Sequence, residues 1–213
     1  MAGGGQAAAG VEWTVEQTGT GRDPQPPIAI TYTVSAEVTR IAGAEETVLI
    51  DYSGNRIFRL DPAGRACRSY LFGRPHAELP AASITVAAPA TAPDRRHLGF
   101  GLQQALAQTA VAATPQRWGQ QFPFATAEYR IARDFPGINE LFAIAGQHRR
   151  VFQRYPLLRR LDPIGLLDLL AGFPVSGIIS SPTGRILFIV QSPPRLTANL
   201  PTLPPPGTCD VTE

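Results

Sequence analysis

An α+β domain built on a curved antiparallel β-sheet is the fold class this sequence predicts, and three observations lead to it. Apolar and polar residues alternate from Ile28 to Val38. Shorter alternating segments follow between Glu46 and Phe72, separated by tight turns. Helical periodicity becomes clear only late, beyond Pro136. Period two needs extended backbone, because successive side chains point to opposite faces. A strand that long curves, as strands do in barrels and half-barrels.

Each element can be justified in order. Val11, Trp13 and Val15 alternate with Glu12, Thr14 and Glu16, so the chain opens on a strand with one wet face. Residues 19–27 break the pattern with Gly, Asp and Pro. Residues 28–38 then form one long strand, with Ile28, Ile30, Tyr32, Val34, Ala36 and Val38 on one side. Residues 46–52, 55–60 and 65–72 are strands joined by Ser53-Gly54-Asn55 and Asp61-Pro62-Ala63-Gly64. Connections this short make an antiparallel meander. Residues 82–87 add a strand through Ile84 and Val86.

Beyond the Ala/Pro stretch 88–93 the pattern predicts a helix over 94–111, capped by Asp94, with Leu98, Leu102, Ala105 and Leu106 on one face. Residues 121–133 read as extended. A helix opens at Pro136, with Ile138, Leu141, Phe142, Ala145, Phe152 and Tyr155 close to a 3.6-residue period. Asp162-Pro163 starts another, apolar on almost every side, which Gly172 ends. Residues 173–180 and 185–191 close the domain as a hairpin.

The expected domain runs over 11–191, between a flexible stretch at 1–10, read as the remnant of a trimmed signal peptide, and a Pro-rich tail at 192–213. At 213 residues one domain is enough, and it buries enough surface to fold without metal. All basic residues are Arg, and the net charge of +2 argues against nucleic-acid binding by bulk electrostatics. No apolar run is long enough for a membrane-spanning helix, although peripheral contact with a membrane is open. Cys67 and Cys209 have two readings. Joined, they pin the tail back onto the sheet and imply an oxidising compartment, periplasmic or extracellular. Unjoined, Cys67 is a buried thiol and Cys209 an idle one.

The long strand 28–38, the meander Leu49-Ile50-Asp51-Tyr52-Ser53-Gly54-Asn55-Arg56-Ile57-Phe58-Arg59-Leu60-Asp61-Pro62 and the late step Ala171-Gly172-Phe173-Pro174-Val175 carry a resemblance. In outline, over 11–191, the chain resembles exported bacterial proteins of the lipoprotein-localisation carrier type. The resemblance implies an open half-barrel whose concave apolar face is covered by two or three helices. It differs in opening on a strand where those carriers open on a helix.

Candidate chemistry is sparse. His76, His97 and His148 lack metal-ligand spacing, and no Gly-x-Ser-x-Gly elbow or phosphate loop occurs. Ser180 and Ser181 are turn residues. Glu45 and Glu46, or Asp51 and Asp61, could face each other across the meander, but nothing local demands a cleft around them. The expectation is a non-enzymatic protein without a cofactor. Trp13, Tyr32, Val34, Phe58, Leu141, Phe142 and Phe152 are the candidate lining of an apolar ligand site, since large apolar side chains dominate such pockets. The same stripes also suit a plain core. Arg149, Arg150 and Arg154, with Arg159 and Arg160, form the dense basic cluster. It is either a site for an anionic headgroup or acidic partner, or the solvated side of a helix. The partner is thus an apolar or lipid-like molecule, or a second protein docking on a domain with a filled core.

Overall fold

The computed structural model describes residues 10–21, 26–63, 66–72, 84–86, 104–111, 125–132, 137–155, 163–170, 172–181 and 184–212. Strands dominate them. The first half is a meander: β1 (Gly10–Gly21), β2 (Ile28–Val34), β3 (Val38–Ala42), β4 (Thr47–Asp51), β5 (Arg56–Leu60) and β6 (Cys67–Leu71). The second half contains β7 (Ile84–Val86), β8 (Gln104–Val111), β9 (Ala125–Ala132), β10 (Phe173–Ser181) and β11 (Gly184–Val190). Between β9 and β10 come α1 (Ile138–Gln147), α2 (Arg149–Arg154) and α3 (Pro163–Leu170). Two short strands, β12 (Arg195–Thr197) and β13 (Asp210–Thr212), lie in the tail.

All thirteen belong to one sheet, ordered β13-β6-β5-β4-β3-β2-β1-β11-β10-β9-β8-β7, with β12 beside β1. The sheet is open, with β13 and β7 at its two ends. Pairing is antiparallel except between β13 and β6. The two halves meet where β11 pairs with β1, Val15 opposite Val190.

Register divides the meander into two faces. Val11 opposite Val34, Trp13 opposite Tyr32 and Val15 opposite Ile30 define an inner face. It continues through Thr39 and Ile41 to Ile50 and Ile57. Helices α1, α2 and α3 bring Leu141, Ile144, Phe152, Ile164 and Leu167 into one buried cluster with Val11, Trp13, Val34, Ile50 and Val190. The spacing of Ile138, Leu141, Ile144 and Ala145 gives α1 its buried stripe.

Three expectations are corrected. Residues 28–38 are not one strand. β2 stops at Val34 and β3 starts at Val38, with Val34 opposite Thr39. Ser35 makes the turn: its N–H donates to the Val38 carbonyl at 3.0 Å, and its Oγ accepts from the N–H of Val38 at 3.1 Å and of Glu37 at 3.3 Å. A serine hydroxyl standing in for backbone partners turns the chain without glycine or proline.

Residues 104–111, expected at the end of a helix, are strand β8. It is hydrogen-bonded along its length to β9 and, over Ala107–Thr109, to β7. Two waiting neighbours supply backbone partners that outweigh alanine's helix propensity. The rest of that expected helix lies outside the described residues. Finally, the helix expected from Pro136 is, over the described residues, two helices. His148 separates them with φ −93° and ψ 5°, in the bridge region, while the Phe152 N–H still reaches the His148 carbonyl.

The tail is tied down. β12 pairs with β1, Arg195 Nη2 meets Glu12 Oε1 at 2.8 Å, and Cys67 and Cys209 form a disulfide across 142 positions. In the chain-entropy description a loop this long gives about 4–5 kcal/mol. The pinning expected of a joined pair is what the structure shows.

Candidate functional site

The centre of the molecule is an aromatic seam between sheet and helices. Trp13 on β1 stacks on Tyr32 of β2, centroids 5.1 Å apart and planes 10° apart. Phe173 on β10 meets Trp13 in a T-shaped contact, centroids 5.4 Å apart. Further along, the Tyr52 hydroxyl lies 2.6 Å from Thr39 Oγ1, and the Tyr52 ring stacks with His148 at 4.0 Å and makes a T-shaped contact with Phe152 at 6.0 Å. These are the offset and edge-on geometries that aromatic quadrupoles favour.

Of the seven residues expected to line an apolar site, six come together. Trp13, Val34, Leu141 and Phe152 are buried within the cluster, and Tyr32 and Phe142 lie partly buried against it. Phe58 does not join them. It pairs with Leu49 and Ser69, opposite in face to Ile57 and Ile50, and so belongs to the outer face. Ile57 and Phe58 are adjacent and both apolar, so the sequence left open which of them points inward.

Tyr52, Thr39 and His148 were not singled out from the sequence as a group. The available signal was His148 four positions before Phe152, hence on the same side of the helical path. His148 is buried and its Nε2 has no hydrogen-bond partner. Burial holds its pKa below the usual imidazole value, and a hydrogen bond to the Ala36 backbone opposes that only in part. Tyr129, buried on β9 beside Phe188, has its phenol pushed up to about 12 by burial.

The candidate carboxylates have structural work. Asp51 Oδ1 accepts from Ser53 N at 3.0 Å, Ser53 Oγ at 2.8 Å and Gly54 N at 2.8 Å, forming the β4–β5 turn. Glu46 Oε2 accepts from Arg59 Nε at 2.7 Å, and the hydrogen bond raises the Arg59 pKa. Asp51 and Asp61 flank opposite ends of β5 and do not face each other. Among the described residues no three His, Cys, Asp or Glu side chains gather as a metal site, and no helix is long and apolar enough to cross a membrane.

Arg149, Arg150 and Arg154 are exposed on α2. The Arg154 guanidinium lies 5.6 Å from the Tyr155 ring centroid. Arg159, Arg160, His76 and His97 lie outside the described residues.

No protein-family model matches the chain, and no curated protein matches it significantly.

Proposed function

We propose that the chain is an exported, non-enzymatic binding protein that holds an apolar or lipid-like ligand between its sheet and its helices. The supporting observation is the graded burial of the seam. A buried centre is bordered by Tyr32, Phe72, Phe142, Val151 and Phe188, all apolar and only partly covered. A ligand would enter along this border by moving α1 and α2 outward. Neither helix has a side-chain hydrogen bond at its N-cap, so no cap has to break. Arg150 and Arg154, four apart on α2, would face an anionic headgroup or an anionic membrane surface. The disulfide fits an oxidising compartment, periplasmic or extracellular.

A second reading draws on the centre of the seam. Trp13, Val34, Leu141 and Phe152 are 4%, 0%, 0% and 1% exposed. A ligand pocket of a few hundred Å³ has no room among them unless they part. If they stay together, the protein is an interaction or structural module with a filled core.

Native mass spectrometry of protein purified from its own host separates the two. The carrier reading expects co-purified lipid. It also expects Phe142→Glu to abolish uptake of a fluorescent lipid with the fold retained. Absence of lipid together with unchanged uptake in the variant would leave the interaction module.

A further inference from the structure

The tail crosses the outer face of the meander. β12 runs beside β1 toward the Ser35 end of the sheet, and β13 starts beside Arg68 at the Cys67 end. Residues 198–209 connect them. The crossing covers seven strand spacings, about 34 Å at about 4.8 Å each. Extended at about 3.1 Å per residue, the segment reaches about 40 Å, so it has little slack on its diagonal path. Pro201, Pro204, Pro205 and Pro206 favour that extended form. Leu200 fixes the side on which it passes: a Cβ built on Gly10 would meet Leu200 Cδ2 at 2.9 Å. Gly10 is in alternation with Glu12, away from Val11 and Trp13. Thr33, Val38, Leu49 and Ser69 are buried although all four belong to this outer face.

The anchoring of this segment is uneven. Its start is secured by β12 and by the Arg195–Glu12 ion pair. Its far end has three residues of parallel pairing, Asp210 to Thr212 on Arg68 to Tyr70, and the disulfide. Between them Thr202, Leu203 and residues 205–208 are exposed. The buried cluster contains no residue beyond Val190. The segment can therefore leave while sheet and helices stay packed. Cys67 and Cys209 are both partly exposed, and exchange with an external thiolate depends on such access.

We infer that residues 198–212 are a redox-released strap: two-electron reduction of Cys67–Cys209 by a dithiol frees its far end and uncovers the outer face and the β6 edge. A thiolate of the dithiol attacks one sulfur of the pair, and the other leaves as a thiolate that takes a proton from water. The second thiol of the reductant then closes its own disulfide and releases the remaining protein thiol. Two cysteine thiols and one oxidised dithiol result. The β6 edge and Leu49 are then open to solvent.

Hydrogen exchange on the 213-residue chain, oxidised and after treatment with dithiothreitol, tests this inference. Reduction should speed exchange of Asp210–Thr212 and Arg68–Tyr70 at least tenfold, with β1, β2 and the Trp13 near-ultraviolet signal unchanged. The Cys67→Ser/Cys209→Ser variant should give the same pattern without reductant. Unchanged strap exchange in the reduced protein overturns the inference, because the strap then holds without the bond. Loss of the Trp13 signal on reduction also overturns it, because the bond then staples the whole fold. A disulfide that resists the dithiol in the folded protein removes the switch.

Discussion

The imidazole of His148 lies on the ring of Tyr52, centroids 4.0 Å apart and planes 26° apart. The contact joins the turn between α1 and α2 to the end of β4 and places a titratable ring inside the seam. Burial lowers the His148 pKa from 6.5, so the unfolded chain takes up the proton first as pH falls. Stability from the neutral ring is complete above pH 6.5 and is lost as pH falls from there through the lower folded value. Urea unfolding at several pH values should show this loss in the wild type. The difference between wild type and His148→Phe isolates it, since the variant keeps an aromatic ring but cannot take up a proton there.

Ser35 is the cheapest place to disturb the meander without touching its core. Ser35→Ala leaves the N–H groups of Glu37 and Val38 without the hydroxyl they bond. A buried donor left unpaired costs about 1–3 kcal/mol. Chemical denaturation should show a lower midpoint with an unchanged slope.

That turn also shows how far the sequence could be read. Its residues, Ser35 to Val38, contain neither glycine nor proline. The apolar–polar rhythm runs on through it, so one long strand and two short ones share a single pattern. The chain does change faces there: even-numbered positions face inward in β2 and odd-numbered ones in β3. Where turns carried Gly or Pro, as at Ser53-Gly54-Asn55 and Asp61-Pro62, the strands were legible to within a residue or two. β8 was not, because pairing with β7 and β9 is a long-range fact that its Ala-rich sequence does not encode locally. Most of the seam was legible from periodicity. Phe58 was not, because only register decides between adjacent apolar residues.

Gly177 is needed for its missing side chain. A Cβ there would lie 2.5 Å from Phe188 Cε1 and 2.8 Å from Tyr129 Cδ1. Both rings lean over the glycine from the neighbouring strands, Gly177 being opposite Tyr129 on one side and Phe188 on the other. Gly177→Ala should destabilise by about 1–3 kcal/mol, as overpacking does. Adding Phe188→Leu should restore part of that in a thermal melt.

The α2 arginines can be tested on membranes directly. Replacing Arg150 and Arg154 by Glu should weaken binding to anionic liposomes and flatten its salt dependence, with neutral liposomes unaffected. Equal binding by variant and wild type would make the arginines the solvated side of a helix.

The pairing of Val15 with Val190 has a consequence for how the protein is made. β1 is at the middle of the finished sheet, yet while the chain emerges N-terminus first it is an outer edge. For the whole interval before residues 184–190 appear, one flank of a twelve-residue strand offers its backbone to any passing segment. Joining partners so distant in sequence is also slow. The nascent chain is therefore prone to aggregate at a strand that lies inside the finished sheet, and a holding chaperone should matter most before β11 has been synthesised.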